Sequence, residues 1–101
     1  MTFADTLKTL PEFTGEHLLL ADASGQEIAR IANAPGTAGS FRVYAYLAGK
    51  HGAITPEAAA EGLAIFAEHS EDARRHPGKH PNIDRLIGLM RSGDTLHARL
   101  A

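Results

Sequence analysis

The segment from Glu68 to Asp84 decides how the second half of this chain can run. It reads Glu-His-Ser-Glu-Asp-Ala-Arg-Arg-His-Pro-Gly-Lys-His-Pro-Asn-Ile-Asp. Pro77 disfavours helical geometry at His76, so a helix arriving from the N-terminal side ends near Arg75. Gly78 follows, and a new helix starts after Pro81 with Asn82 as its cap. The segment is therefore a helix-to-helix corner. It also holds three of the six histidines, His69, His76 and His80.

Similar punctuation divides the rest of the chain. Thr2 and Asp5 resemble a capping box, Phe3, Leu7 and Leu10 repeat at helical spacing, and Pro11 stops the pattern, giving a short helix over roughly residues 3 to 9. Glu16 to Asp22 and Glu27 to Ala32 read as two strands of a hairpin around Ala23-Ser24-Gly25-Gln26. Leu18, Leu19 and Leu20 do not alternate with polar residues, so both faces of the first strand are expected to be covered, by a second subunit or by the N-terminal helix. Pro35-Gly36 fits the centre of a type II turn. The next helix begins at Ala38 or Phe41, capped by Thr37 or Ser40, and ends at His51 before Gly52. Its Phe41, Val43, Tyr44, Ala45, Leu47 and Ala48 predict burial.

Thr55-Pro56-Glu57 starts a third helix expected to reach Arg75, with Ala59, Leu63, Phe66 and Ala73 on one face and an acidic stripe of Glu57, Glu61, Glu68 and Asp72 on another. Ile83, Leu86, Ile87 and Met90 mark the helix after the corner, which Gly93 ends. Thr95 to Leu100 alternates as a strand. The order predicts an α+β domain, a small three-stranded antiparallel sheet (hairpin plus C-terminal strand) packed against three to four helices.

A chain of 101 residues with 44% hydrophobic content is expected to form a single domain, residues 1 to 101. Cysteine is absent, which excludes disulfides and thiolate metal sites and suits a reducing cytoplasm. The net charge of -2 and scattered Lys and Arg argue against nucleic acid as a partner. No run approaches the ~20 apolar residues of a membrane span, and the N-terminus lacks a signal-peptide pattern. The expectation is a cytoplasmic protein without a membrane partner.

Two groups of residues carry candidate chemistry. His69, His76, His80 and Asp84, with Asp72 nearby, offer ligands for a divalent metal such as zinc. On a straight helix His69 and His76 share a face but stand about 10.5 Å apart along the axis. One ion then needs the chain past Gly78 to fold back so that His80 or Asp84 joins one of them. The structural alternative is equally concrete: His76 at a helix C-terminus, His80 bonded within the turn, and Asp84 at the next helix N-terminus. The second group is Gly36, Gly39, Ser40 and Arg42, where a Gly-rich helix entry could hold an anion, although neither phosphate-loop nor dinucleotide-loop spacing is present. Tyr44 and Tyr46 cannot share a helix face, so one is expected in the core and one at an edge. His17 and His97 are candidates for a polar pair on facing strands.

At Pro35-Gly36 with Gly39-Ser40, at Ala67-Glu68-His69 with Glu71-Asp72-Ala73, and above all at His76-Pro77-Gly78-Lys79-His80-Pro81-Asn82-Ile83-Asp84, the chain resembles a family of short bacterial proteins. That family is the domain of unknown function 2322, and the likeness runs over nearly the whole length. The resemblance implies a self-contained cytoplasmic bacterial domain and transfers no catalytic residues. The leading expectation is a binding or interaction module that self-associates as a homo-oligomer, a dimer, and is not an enzyme. Divalent-metal binding at the histidine corner is the alternative, and a small enzyme acting on an anionic metabolite is the weaker one.

Overall fold

The unbroken leucines of β1 (His17–Ala21) belong to the middle strand of the sheet, where a strand has a neighbour on both sides. The computed structural model describes residues 1–101. It places β1 between β2 (Glu27–Ala32) and β3 (His97–Leu100), all pairs antiparallel. Leu18 and Leu20 enter the core. Leu19 points the other way, opposite Arg30 on β2 and Arg99 on β3. It is only 9% exposed in the single chain, since long arginine stems can cover apolar surface while their heads stay in water. The leucine run therefore requires neither a second subunit nor the N-terminal helix as a cover. His17 and His97 do not pair: His97 is opposite Ala21, and His17 exchanges backbone hydrogen bonds with Ala101.

Thr2 and Asp5 form the reciprocal capping box that starts α1 (Phe3–Leu7). This helix packs on other helices, with the Phe3 ring stacked on Phe66 at 5.1 Å. The Pro35-Gly36 turn closes through the Thr37 amide to the Ala34 carbonyl, and Gly36 takes the positive φ of 93° that the turn demands. It launches α2 (Ala38–His51), which buries Phe41, Val43, Tyr44, Ala45 and Leu47 and packs on all three strands. Thr37 occupies the cap position, but its hydroxyl donates to the Ala32 carbonyl and so ties the helix entry to β2.

Three expectations are corrected beyond this point. The third helix does not reach Arg75, because α3 (Pro56–Phe66) and α4 (Glu68–Arg75) are separated by Ala67 at φ 50°, ψ -113°. Such a backbone costs on the order of 1–3 kcal/mol in a residue with a Cβ. Groups on both sides hold it: the buried Ser70 hydroxyl donates to the Leu63 carbonyl at 2.7 Å, and Glu68 accepts the Phe3 amide at 2.8 Å. The break also dissolves the acidic stripe, since Glu61 instead pairs with Lys50 and His51. Finally, α5 (Pro81–Ser92) has His80, not Asn82, at its cap position, and Pro81 is the first helical residue. The break at Ala67 is why there are five helices where three to four were expected. None is long and apolar enough to cross a membrane.

Gly62 lets α3 approach its neighbours. A Cβ there would sit 2.8 Å from the Cδ1 atoms of both Leu47 on α2 and Leu86 on α5, two side chains with no exposed surface. The Cβ of Gly49, on the exposed face of α2, would meet nothing within 4 Å. Opposite responses to the same substitution follow. Gly49→Ala should stabilise the fold by about 0.5–1 kcal/mol through helix propensity. Gly62→Ala should destabilise it, because overpacking costs roughly 1–3 kcal/mol and exceeds the same propensity gain. Urea midpoints that moved in one direction for both variants would contradict the packing described.

Candidate functional site

Asp72, on α4, gathers the corner. His80 donates from Nε2 to its Oδ2 at 2.7 Å, and Lys79 Nζ reaches the same oxygen at 2.9 Å. His76 Nε2 lies 3.8 Å from the other oxygen. The His80 hydrogen bond, then the Lys79 one, hold the Asp72 carboxyl well below its ordinary range, at about 2. The turn thus folds back, and it brings the His80 ring to 5.8 Å from the His69 ring, centroid to centroid. His69 also stands edge-on to Phe3 at 5.3 Å. Of the four residues expected to hold a metal, His69 and His80 have neighbouring rings, and His76 meets His80 only by way of the Asp72 carboxylate. His76 is mostly exposed, and Asp84 accepts the Gly78 amide at 2.9 Å and so clamps the turn. No three His, Asp or Glu side chains gather in a way that could hold a metal ion.

The Gly-rich helix entry lies beside this corner. Gly36, Thr37 and Ser40 from the start of α2 line one depression of about 250 Å³ together with His69, Lys79 and His80, and with Pro81, Asn82 and Ile83 from the start of α5. Phe3 and Phe66 supply an apolar wall. The backbone amides of Ser40 and Asn82 have no acceptor within the chain, as first-turn amides of helices ordinarily do not. Two groups of residues that sequence treats separately therefore form one pocket. Gly39 and Arg42 stand outside it. Gly39 lies against Phe3, which a Cβ would approach to 3.3 Å, and Arg42 donates to the Leu10 and Pro11 carbonyls.

Sequence reasoning missed Lys79, Asn82, Thr37 and the two phenylalanines. The only local signal for Lys79 was its place between two corner histidines. Asn82 has a tertiary role that no spacing reveals. The buried Tyr44 hydroxyl donates to its backbone carbonyl, and Arg85 Nη1 donates to its Oδ1 at 2.9 Å and to the Tyr44 oxygen at 3.3 Å. Burial pushes the Tyr44 phenol up to about 12, so it remains a donor at neutral pH. Tyr46 is half-buried at the helix edge with Lys50 Nζ 5.9 Å from its ring centre, which is the division expected of the two tyrosines.

The lowered carboxyl makes the corner sensitive to acid. Because Asp72 titrates near 2 in the fold against an ordinary value of 3.8, its contribution is complete above about pH 4 and disappears as pH falls through about 2. Asp72→Asn should therefore unfold at lower denaturant than the parent at pH 6, and the gap should close between pH 4 and pH 2. A gap independent of pH, measured by circular dichroism in urea, would deny Asp72 its ionic role.

No curated protein and no solved structure matches the chain. One family model does, over residues 3–100, and by it this chain belongs to the family described as an uncharacterized protein conserved in bacteria, DUF2322.

Proposed function

We propose that this domain is a binding module for a small oxyanion, such as a phosphate monoester on a short carbon skeleton. The observation that carries the reading is the meeting of two helix starts with His69, Lys79 and His80 around one depression. First-turn amides and the positive ends of helix dipoles favour anions. Ser40 adds a hydroxyl that donates to no protein acceptor, whereas the Thr37 and Ser70 hydroxyls are occupied by backbone carbonyls. Asp72 offsets the charge of Lys79 while fixing where Lys79 and His80 point. The result is a pocket of ordered donors in which Lys79 is the one formally cationic lining residue.

Size limits the ligand. About 250 Å³ falls below the roughly 300–1,000 Å³ of pockets that take drug-sized molecules, which disfavours nucleotides and large cofactors. A divalent metal is the second reading, supported by the approach of the His69 and His80 rings. Two imidazoles leave half of a tetrahedral shell to be filled from solution.

Calorimetric titration with inorganic phosphate and phosphoenolpyruvate tests the first reading. Binding should weaken about tenfold, or about 1.4 kcal/mol, in His69→Gln. That ring packs against Phe3 and His80 and takes part in no ion pair, so the fold should survive the change. Affinities weaker than about 1 mM for every small phosphate tested would end the anion reading. Near-stoichiometric zinc that His80→Ala loses would favour the metal instead.

A further inference from the structure

A second depression, of about 490 Å³, opens on the other side of α5, between that helix and the hairpin turn. Its floor is apolar, formed by Leu89 and Leu96, both nearly buried. Its wall is Ile28, a large apolar side chain left 49% exposed. The register explains that exposure. Leu20 is opposite Ala29 and Ala21 is opposite Glu27, so Ile28 is the extra residue of a β-bulge. Bulges re-aim side chains, and this one turns Ile28 towards α5 instead of into the strand ladder.

Arg85 supplies the polar end. It lines the depression, is partly buried, and forms no salt bridge with any carboxylate. Its Nη1 is held by the Tyr44 oxygen and by Asn82 Oδ1, and its guanidinium lies 5.7 Å from the Tyr44 ring centre. Nε and Nη2 have no protein acceptor. An arginine fixed at one corner with free donors on the rest of its fork suits the two oxygens of a carboxylate. The two acids at the rim do not fill that role. The Asp22 carboxylate is engaged by the Ser24 and Gln26 amides and the Ser24 hydroxyl, and the exposed Asp94 makes no ion pair.

We infer that the depression between α5 and the hairpin binds a short branched aliphatic carboxylate, with its head group on Arg85 and its tail against Ile28, Leu89 and Leu96. Its volume of about 490 Å³ admits such a ligand with room to spare. Asp94 at the rim is placed to receive an ammonium group if the carboxylate is that of an amino acid.

Amide NMR spectra of the full chain titrated with isocaproate, and separately with leucine, provide the test. Shifts should centre on Ile28, Gly88 and Leu89, and Arg85→Gln should raise Kd about tenfold or more. Since that change also disturbs Tyr44, Gly88→Leu serves as a second variant. Gly88 lines the same depression and its Cβ would meet nothing within 4 Å, so the new side chain should crowd the site and raise Kd about tenfold or more without disturbing the core. Tighter binding of leucine assigns the ammonium to Asp94; tighter binding of isocaproate assigns the site to simple carboxylic acids. No shifts at about 10 mM of either ligand, or a Kd unchanged in a folded Gly88→Leu variant, overturns the inference. His69→Gln leaves this binding intact, which keeps its outcome separate from that of the oxyanion pocket.

Discussion

The hydrogen bond from the Tyr44 hydroxyl to the Asn82 carbonyl ties the start of α5 to α2, beside both depressions. Tyr44 is fully buried on α2, which itself lies across the sheet. A phenol in that position must find an acceptor, because an unsatisfied buried hydroxyl costs about 1–3 kcal/mol. The acceptor it finds is in the first turn of α5. The start of α5 is thereby fixed against α2, and α2 is fixed against the sheet. Asn82 carries the consequence to both depressions, since it lines one and its side chain holds the arginine that lines the other.

The corner depends on a related balance. Turning the chain at Ala67 places a residue with a Cβ at positive φ, yet without that turn α4 would continue the axis of α3. The change of direction sets His69 against Phe3 and within reach of His80. Glu68 receives the Phe3 amide from a helix at the far end of the sequence, and that amide in turn lowers the Glu68 carboxyl below its usual range. On the other side of the corner Asp84 closes the turn through Gly78 while Asp72 gathers Lys79 and His80. Each carboxylate thus meets either a cation or a backbone donor, and the corner is ordered without a large apolar core of its own.

Features with local causes were legible in the sequence. The capping box at Thr2, the Pro35-Gly36 turn, the Thr55-Pro56 helix start and the glycines that end α2 and α5 all lie where short-range stereochemistry puts them. The leucine run correctly indicated a strand covered on both sides, but not that its own neighbours supply Arg30 and Arg99 as the cover. The break at Ala67 was hidden because alanine is a strong helix former, and the groups that stabilise the break come from Phe3 and Leu63. His69, His80, Gly36 and Ser40 were each visible as candidates. Their convergence was not, since it depends on how α2 and α5 are docked, and sequence spacing carries no information about that. Arg42 and Asp84 had the right chemistry for a ligand site, but backbone partners close to each of them claim it.

The ordering of the corner also limits the chemistry it can perform. A general acid or base works best with a pKa near the working pH, and Asp72, held at about 2, remains an anion throughout the neutral range. It can orient His80 but cannot exchange protons with a substrate there. His80 gives one of its two ring nitrogens to that contact, and the Ser70 hydroxyl, next to His69 in the chain, is turned into the join between α3 and α4, where it donates to the Leu63 carbonyl. The donors that remain, Ser40 Oγ, the first-turn amides and Lys79, suit the holding of an oxyanion better than an attack on one. The contacts that order the corner therefore support the proposed oxyanion binding more than they support a catalytic role.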